Sequence, residues 1–245
     1  MKRFILTLQF LTRVTVAKNL PYDEKFNKGI IFFPLVGLVL GLILAVIYMG
    51  LSYLFNSTIT SMITIASYIA LTGGLHLDGL GDTFDGFYSS RGKERILEIM
   101  KDSRLGTNGV IAVLFSILIK VFVLAALPHE KALLALILMP VLGRLGIVYG
   151  CFRISYARET GLGHIYINNV SSNQLMIATG LGIAITLIDR GTLLFIPIAW
   201  IFSYLFKSHS KKIIHGMTGD TLGALCELNE ILYLLYLVGK LNLTM

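Results

Sequence analysis

Between His76 and Gly109 the chain reads HLDGLGDTFDGFYSSRGKERILEIMKDSRLGTNG, and here residue types and spacing can do chemistry. Asp78, Asp82, Asp85 and Asp102 lie among Arg91, Lys93, Arg95, Lys101 and Arg104, with long apolar runs on both sides. Carboxylates beside lipid-spanning helices are costly to hold and are usually functional. Carboxylates gather divalent metal, while arginine and lysine gather phosphate. Together they point to phosphate chemistry at a membrane face.

On a helix over 76–89, Asp78, Asp82 and Asp85 fall at i, i+4 and i+7, on one face. Carboxylates so close repel one another unless neutralised, and a hard divalent cation is the natural partner. Gly79, Gly81 and Gly86 each weaken such a helix by roughly 1 kcal/mol relative to Ala. They also let a bulky ligand approach the backbone. Glycines between acids make a poor helix and a good site. The plain alternative is a solvated helix end, which the adjoining span disfavours. His76, alone at a helix end, reads as a hydrogen-bonded structural residue rather than a ligand or base.

Two further stretches carry related chemistry. RGKERILEIMK forms a short amphipathic helix with Ile96, Leu97, Ile99 and Met100 inward, and Glu94 and Glu98 can pair with neighbouring bases. The DSRLGTNG that follows it is a Gly-rich turn feeding the next span. Such a turn presents free N–H groups to a phosphate, and Arg104 can grip one in bidentate fashion. Near the C-terminus, Thr218-Gly219-Asp220 precedes the last span, with Glu227 two turns further on and Glu230 beyond it. For the two glutamates, a buried ion pair with Arg144 or Lys120 and a role at substrate stand level.

These residues need elements to hold them. The chain is 55% hydrophobic and 14% charged, with mean hydropathy +0.76. A soluble domain averages about 25% charged residues, so a usual soluble protein is excluded. The expected fold is all-α, a polytopic helical membrane protein forming a single domain over 1–245. Seven transmembrane candidates appear: Gly29–Phe55, Thr58–Leu75, Gly109–Leu127, Ala132–Gly150, Gln174–Ile188, Gly191–Phe206 and Thr221–Val238. The fifth and sixth are short and can pair as a hairpin around Asp189-Arg190. MKRFILTLQFLTRVTV, broken by Gln9 and Arg13, reads as an N-terminal amphipathic or re-entrant helix rather than a cleaved signal.

Charge sets the orientation. With the N-terminus cytoplasmic, that side receives the bases of residues 2–28, those of 91–104, Arg144, Arg153, Arg158, Lys207, Lys211 and Lys212. The other side receives Lys131, Arg190 and Lys240, as the positive-inside rule requires. The net charge of +7 is therefore loop charge, and nucleic acid is not an expected partner. Every cluster described above falls on the cytoplasmic side. Cys151 and Cys226 form no disulfide framework or zinc spacing and read as small core residues.

HLDGLGDTFDG, KDSRLGTNG and HGMTGDTLGA resemble the signature stretches of the cobalamin synthase family, the adenosylcobinamide-GDP ribazoletransferases. FLTRVTV at 10–16 and FFPLVG at 32–37 resemble its N-terminal motifs, and the likeness runs nearly the whole chain. His215 stands where that family leads us to expect glycine, and Gly81 where alanine is common. The resemblance implies a Mg²⁺-dependent enzyme of the prokaryotic cytoplasmic (inner) membrane with its active site facing the cytoplasm. It would join adenosylcobinamide-GDP to α-ribazole or its 5′-phosphate and release GMP. The spaced acids are also loosely similar to the DxxDG core of CDP-alcohol phosphotransferases, whose later acids are missing here.

On this reading Mg²⁺ is held by Asp82 and Asp85, with Asp78 and Asp102 as further ligands or supports. Arg91, Arg95, Lys101 and Arg104 are candidate phosphate clamps, joined by Arg13; Thr218 and Gly219 are expected at substrate. Asp220 is the candidate base or a late metal ligand. Expected partners are the corrinoid nucleotide and ribazole substrates, membrane lipid and, in a homo-oligomer, a second copy of the chain. A cation-coupled transporter and a prenyltransferase-like enzyme are the rivals. The first should hold its acids near the bilayer midplane.

Overall fold

The computed structural model describes residues 1–244 apart from Asn19 and Tyr22, with side chains described through Leu241. Ten α-helices follow in order: α1 (Lys2–Leu11), α2 (Phe33–Leu51), α3 (Ser57–Thr72), α4 (Leu75–Phe87), α5 (Lys93–Ile99), α6 (Thr107–Ala126), α7 (His129–Cys151), α8 (Ser172–Thr186), α9 (Phe195–Ile214) and α10 (Gly219–Thr244). Among the described residues there is no strand, only an isolated parallel bridge between Tyr156 and Met217. The all-α expectation holds.

The bundle is organised around α7, which is buried without a break from Leu138 to Cys151. α2 lies directly on it. A Cβ at Gly37 would sit 2.5 Å from the Pro140 carbonyl oxygen, and one at Gly41 2.4 Å from that of Ile137. Small residues at such crossings let apolar helices touch backbone to backbone. The outer faces keep large apolar side chains exposed, among them Val46, Phe115, Phe122 and Trp200. That is the surface a hydrocarbon solvent requires.

Five segments are long and apolar enough to cross a membrane: Phe26–Leu51, Thr107–Ala126, His129–Cys151, Arg190–Ile214 and Gly219–Leu241. α3 and α4 meet that test only as a pair bent by 89°. The expected count of seven is therefore not reached by length and composition. Two candidates fall short: α3, 16 residues long, passes only with α4, and α8, whose 15 residues rise about 22 Å against a hydrocarbon core of about 30 Å. α8 is nevertheless half of the hairpin expected around Asp189-Arg190. Just before its start, Asn168 N–H bonds the Cys151 carbonyl (3.0 Å); beyond its end, Asp189 faces Lys131 at 3.5 Å, near the other end of α7.

One element decides where the acids go. α3 ends on Gly73 (φ +64), and Gly74 (φ +71) starts α4. Two consecutive left-handed residues turn the chain through a right angle, which glycine alone does without strain. α4 therefore lies nearly perpendicular to α3.

Candidate active site at the α4–α10 contact

Glycine spacing places α4. A Cβ at Gly79 would lie 2.7 Å from the Asp220 carbonyl oxygen, and one at Gly223 3.3 Å from the Gly79 Cα. On the α6 side, a Cβ at Gly109 would lie 2.9 Å from the Gly81 carbonyl oxygen; on the α5 side, one at Gly86 would strike Met100 at 2.6 Å. This corrects the expectation that these glycines open the backbone to a ligand. They open it to neighbouring helices, and the acids are displayed on what remains of the α4 surface.

The α4–α10 contact sets Asp220, in the first turn of α10, beside Asp78 and Asp82. Asp78 is exposed and Asp82 half-buried. Burial first, then the Asp220 and Asp78 carboxylates, push Asp82 up to about 7, with Arg158 pulling the other way. Arg158 is the cation of this group. Its Nη2 lies 2.6 Å from Asp220 Oδ2 and also donates to the Met100 carbonyl (3.2 Å), while its buried Nε has no hydrogen-bond partner. The loop after α7 brings it here, stitched to the α9–α10 turn by Ala157 N–H to Met217 carbonyl and Met217 N–H to Ser155 carbonyl, both 2.9 Å.

The other expected site residues occupy distinct places. Asp85 accepts from Gly106 N–H (2.6 Å) and Gly109 N–H (2.8 Å), so its carboxylate sits on the α6 N-terminus. The free N–H groups expected there for a phosphate are thus engaged by Asp85, where the helix dipole favours an anion. Asp102 is gripped by Arg104 at 2.7 Å, and that contact holds its carboxyl down at about 2. Arg95 pairs with Glu98 on an exposed helix face, and Arg91 and Lys101 are exposed. None of these bases contacts the acid group. Arg13 packs over Gly73, and its N–H bonds the Leu71 carbonyl at 2.7 Å. Thr218, expected at substrate, is fully buried: its hydroxyl accepts from Thr221 N–H (3.2 Å) and its N–H donates to the Thr221 hydroxyl (2.8 Å), capping α10. Gly219 is exposed beside Gly163.

Two cavities open at the site. A wider one of about 740 Å³ includes Arg13, Thr72, Gly73 and Leu105 in its wall. One of about 460 Å³ includes Tyr156, Arg158, Gly163 and Asp220. Gln9, Phe10, Leu75 and Asp78 line both, so α1 and the start of α4 form the partition.

Behind the site lies a second charged cluster. Lys120 bonds Glu227 (2.7 Å) and Glu230 (2.5 Å); Arg144 and Tyr68 bond Glu230 at 2.8 and 2.5 Å; Ser116 bonds Glu227 at 2.8 Å. His76 Nδ1 lies 3.5 Å from Arg144 Nη2, which ties α4 into the cluster. Of the readings open for Glu227 and Glu230, the structure displays the buried ion pairs.

Fold and site together define a polytopic helical membrane protein with a carboxylate-rich, two-chambered cleft at one end of the bundle. The chain belongs to the cobalamin-5-phosphate synthase family, whose description matches residues 3–238. It is 50% identical over 238 residues to an adenosylcobinamide-GDP ribazoletransferase of Alkaliphilus metalliredigens, covering 97% of this chain and 95% of that one. Proteins of the same name from Clostridioides difficile (97% of each chain) and Clostridium acetobutylicum (96% of this chain, 94% of that one) are 40% and 42% identical. No solved structure matches. The family removes the ground for the transporter and prenyltransferase alternatives.

Proposed function

We propose that the α4–α10 acid face is where this chain carries out the activity its relatives are named for, transferring phosphocobinamide from adenosylcobinamide-GDP to α-ribazole or its 5′-phosphate. A ribose hydroxyl of the acceptor attacks the phosphorus attached to cobinamide. The new P–O bond forms as the phosphoanhydride bond breaks, and GMP leaves. The observation that carries this reading is the Gly79–Gly223 contact, which sets Asp220 beside Asp78 and Asp82, where Arg158 meets Asp220.

Mg²⁺ fits these residues. Among the described residues no three His, Cys, Asp or Glu side chains are already drawn together as a metal cage. Mg²⁺ does not ask for one; it is commonly held by one or two carboxylates plus substrate phosphates. The donors are all hard oxygens, and the Asp220 and Asp78 carboxylates add to burial in pushing Asp82 up, against Arg158 alone as the opposing cation. Asp82 with Asp78 would hold the ion, with Asp220 within the same group, Asp85 bracing α4 against α6 and Asp102 bracing Arg104. Bound there, the ion would neutralise charge on the transferring phosphate.

The chain's own residues do the rest. Arg158 is placed to bind a phosphate oxygen, and its guanidinium fork suits that partner. Arg13 supplies positive charge in the wider chamber. Asp220 lines the smaller chamber and takes the proton of the attacking hydroxyl. The basic residues on this face support a site that faces the cytoplasm at the prokaryotic inner membrane. The deciding assay is GMP formation from adenosylcobinamide-GDP and ribazole phosphate, with and without Mg²⁺. GMP appearing only with acceptor and Mg²⁺ is the expected result; metal-independent release would overturn the ion's role.

A further inference from the structure

We infer that the smaller chamber is the seat of the acceptor nucleoside and that its walls select a flat, apolar base. This rests on the ribazole-transfer reading above. In phosphoryl transfer the attacking and leaving oxygens lie roughly in line on opposite sides of the phosphorus. A cleft with one shared carboxylate, Asp78, and a chamber on each side has the form this requires. A chamber of 460 Å³ is within the range that encloses a small organic ligand such as a nucleoside. A corrin ring with its amide arms does not enter it. That leaves the wider chamber, with the Arg13 guanidinium, for the anionic donor.

The two ends of the smaller chamber differ in chemistry. At one, Asp78, Asp220 and Arg158 face the reacting centre. At the other, the Tyr166 ring packs with Phe10 and Phe33 at centroid distances of 5.8 and 5.1 Å, and Leu11, Ile147 and Leu222 complete the wall. The two tyrosine hydroxyls of the wall offer a base little. Tyr156, near the Arg158 end, donates to the Thr160 carbonyl at 3.2 Å, and the Tyr166 hydroxyl is buried without a hydrogen-bond partner and faces away from the open space. A guanine seated here would leave amide and amino groups unpaired, and an apolar site penalises that strongly. The methylated benzimidazole of ribazole buries two methyl groups and a fused ring and asks for almost nothing in return. With the base at the aromatic end, the ribose falls beside Asp220.

Leu222 and Leu162 line only the smaller chamber, and Arg13 only the wider one. Leu162 is 67% exposed, so its truncation leaves the packing intact whatever Leu222 does. The test uses the full chain in detergent, with calorimetric binding of α-ribazole alone and GMP-release kinetics in parallel. Leu222→Ala should weaken ribazole binding about tenfold, raise the acceptor KM in step and leave the donor KM unchanged. Leu162→Ala should act in the same direction by a few-fold, while Arg13→Gln should raise the donor KM alone. Guanosine should fail to displace ribazole. The chamber assignment is overturned if both leucine variants raise the donor KM instead, if neither moves ribazole affinity, or if guanosine competes at ribazole-like concentrations. Failure of the underlying activity looks different: ribazole binds and responds to the leucine variants, yet wild type releases no GMP from the corrinoid donor.

Discussion

Two clusters of carboxylates and cations share successive turns of α10, and they are built on opposite terms. The inner one holds Lys120 and Arg144 against Glu227 and Glu230, two charges of each sign, nearly sealed from solvent. Its carboxylates are answered by cations, Tyr68 and Ser116. The outer one sets Asp78, Asp82 and Asp220 against Arg158 alone and opens into two chambers. Charge balance, rather than the presence of acids near a membrane, separates scaffold from site. A balanced cluster locks helices together, and an unbalanced one waits for a cation from outside.

The sharpest way to break the comparison is to remove one acid from each cluster. Asp82→Ala should lower turnover by a factor on the order of 10³ or more without lowering the thermal midpoint in detergent, as GMP release and a melting curve would report. Retention of activity would return Asp82 to the scaffold. Glu230→Gln should do the reverse in kind: breaking a buried pair costs about 3–5 kcal/mol, so the melting curve falls first and activity follows folding. A Glu230→Gln protein of wild-type stability would sink the idea that this network holds the bundle.

A pH titration sharpens the contrast next. Asp82 sits at about 7 in the fold against an ordinary 3.8, so the folded chain binds that proton more tightly than the unfolded one. Metal-free protein should therefore lose stability as pH rises between about 4 and 7, the sign set by the greater proton uptake of the folded state. Apparent Mg²⁺ affinity should fall as pH drops below about 7, since proton and ion compete for one carboxylate. Calorimetry with Mg²⁺ across that range checks it, and Asp82→Asn should flatten the profile. The smallest effect belongs to His215, which closes α9 in the left-handed conformation at φ +62. His215→Gly should raise stability by less than about 1 kcal/mol, seen as a melting shift of a degree or two.

Much of this was legible in the sequence where the signal was local. The one-face spacing of Asp78, Asp82 and Asp85, the amphipathic start and the gathering of motifs at one end all follow from helical period and loop charge. So does the suspicion that Glu227 and Glu230 pair with Lys120 and Arg144. Arg158 was missed as a site residue because its partner, Asp220, is 62 residues away. Its signal was nonetheless present: Arg158 with Gly161 and Gly163 repeats the basic-plus-glycine pattern already noted at Arg104 and Gly106. The glycines of α4 were assigned to a ligand because sequence cannot say whether a missing side chain admits a substrate or a helix. His215 stands where the resemblance called for glycine, and the backbone kept the glycine's shape around it.

The right-angle elbow at Gly73-Gly74 has a consequence for depth. Standing upright, a helix would spread Asp78 and Asp85 over about 10 Å of the membrane profile, from greasy interior to bulk water. Laid flat, it keeps its aspartates at nearly one depth, with Asp78 open to solvent, Asp82 half-buried and Asp85 turned to the neighbouring helix start. A molecule half oily and half ionic can then be met where it already floats.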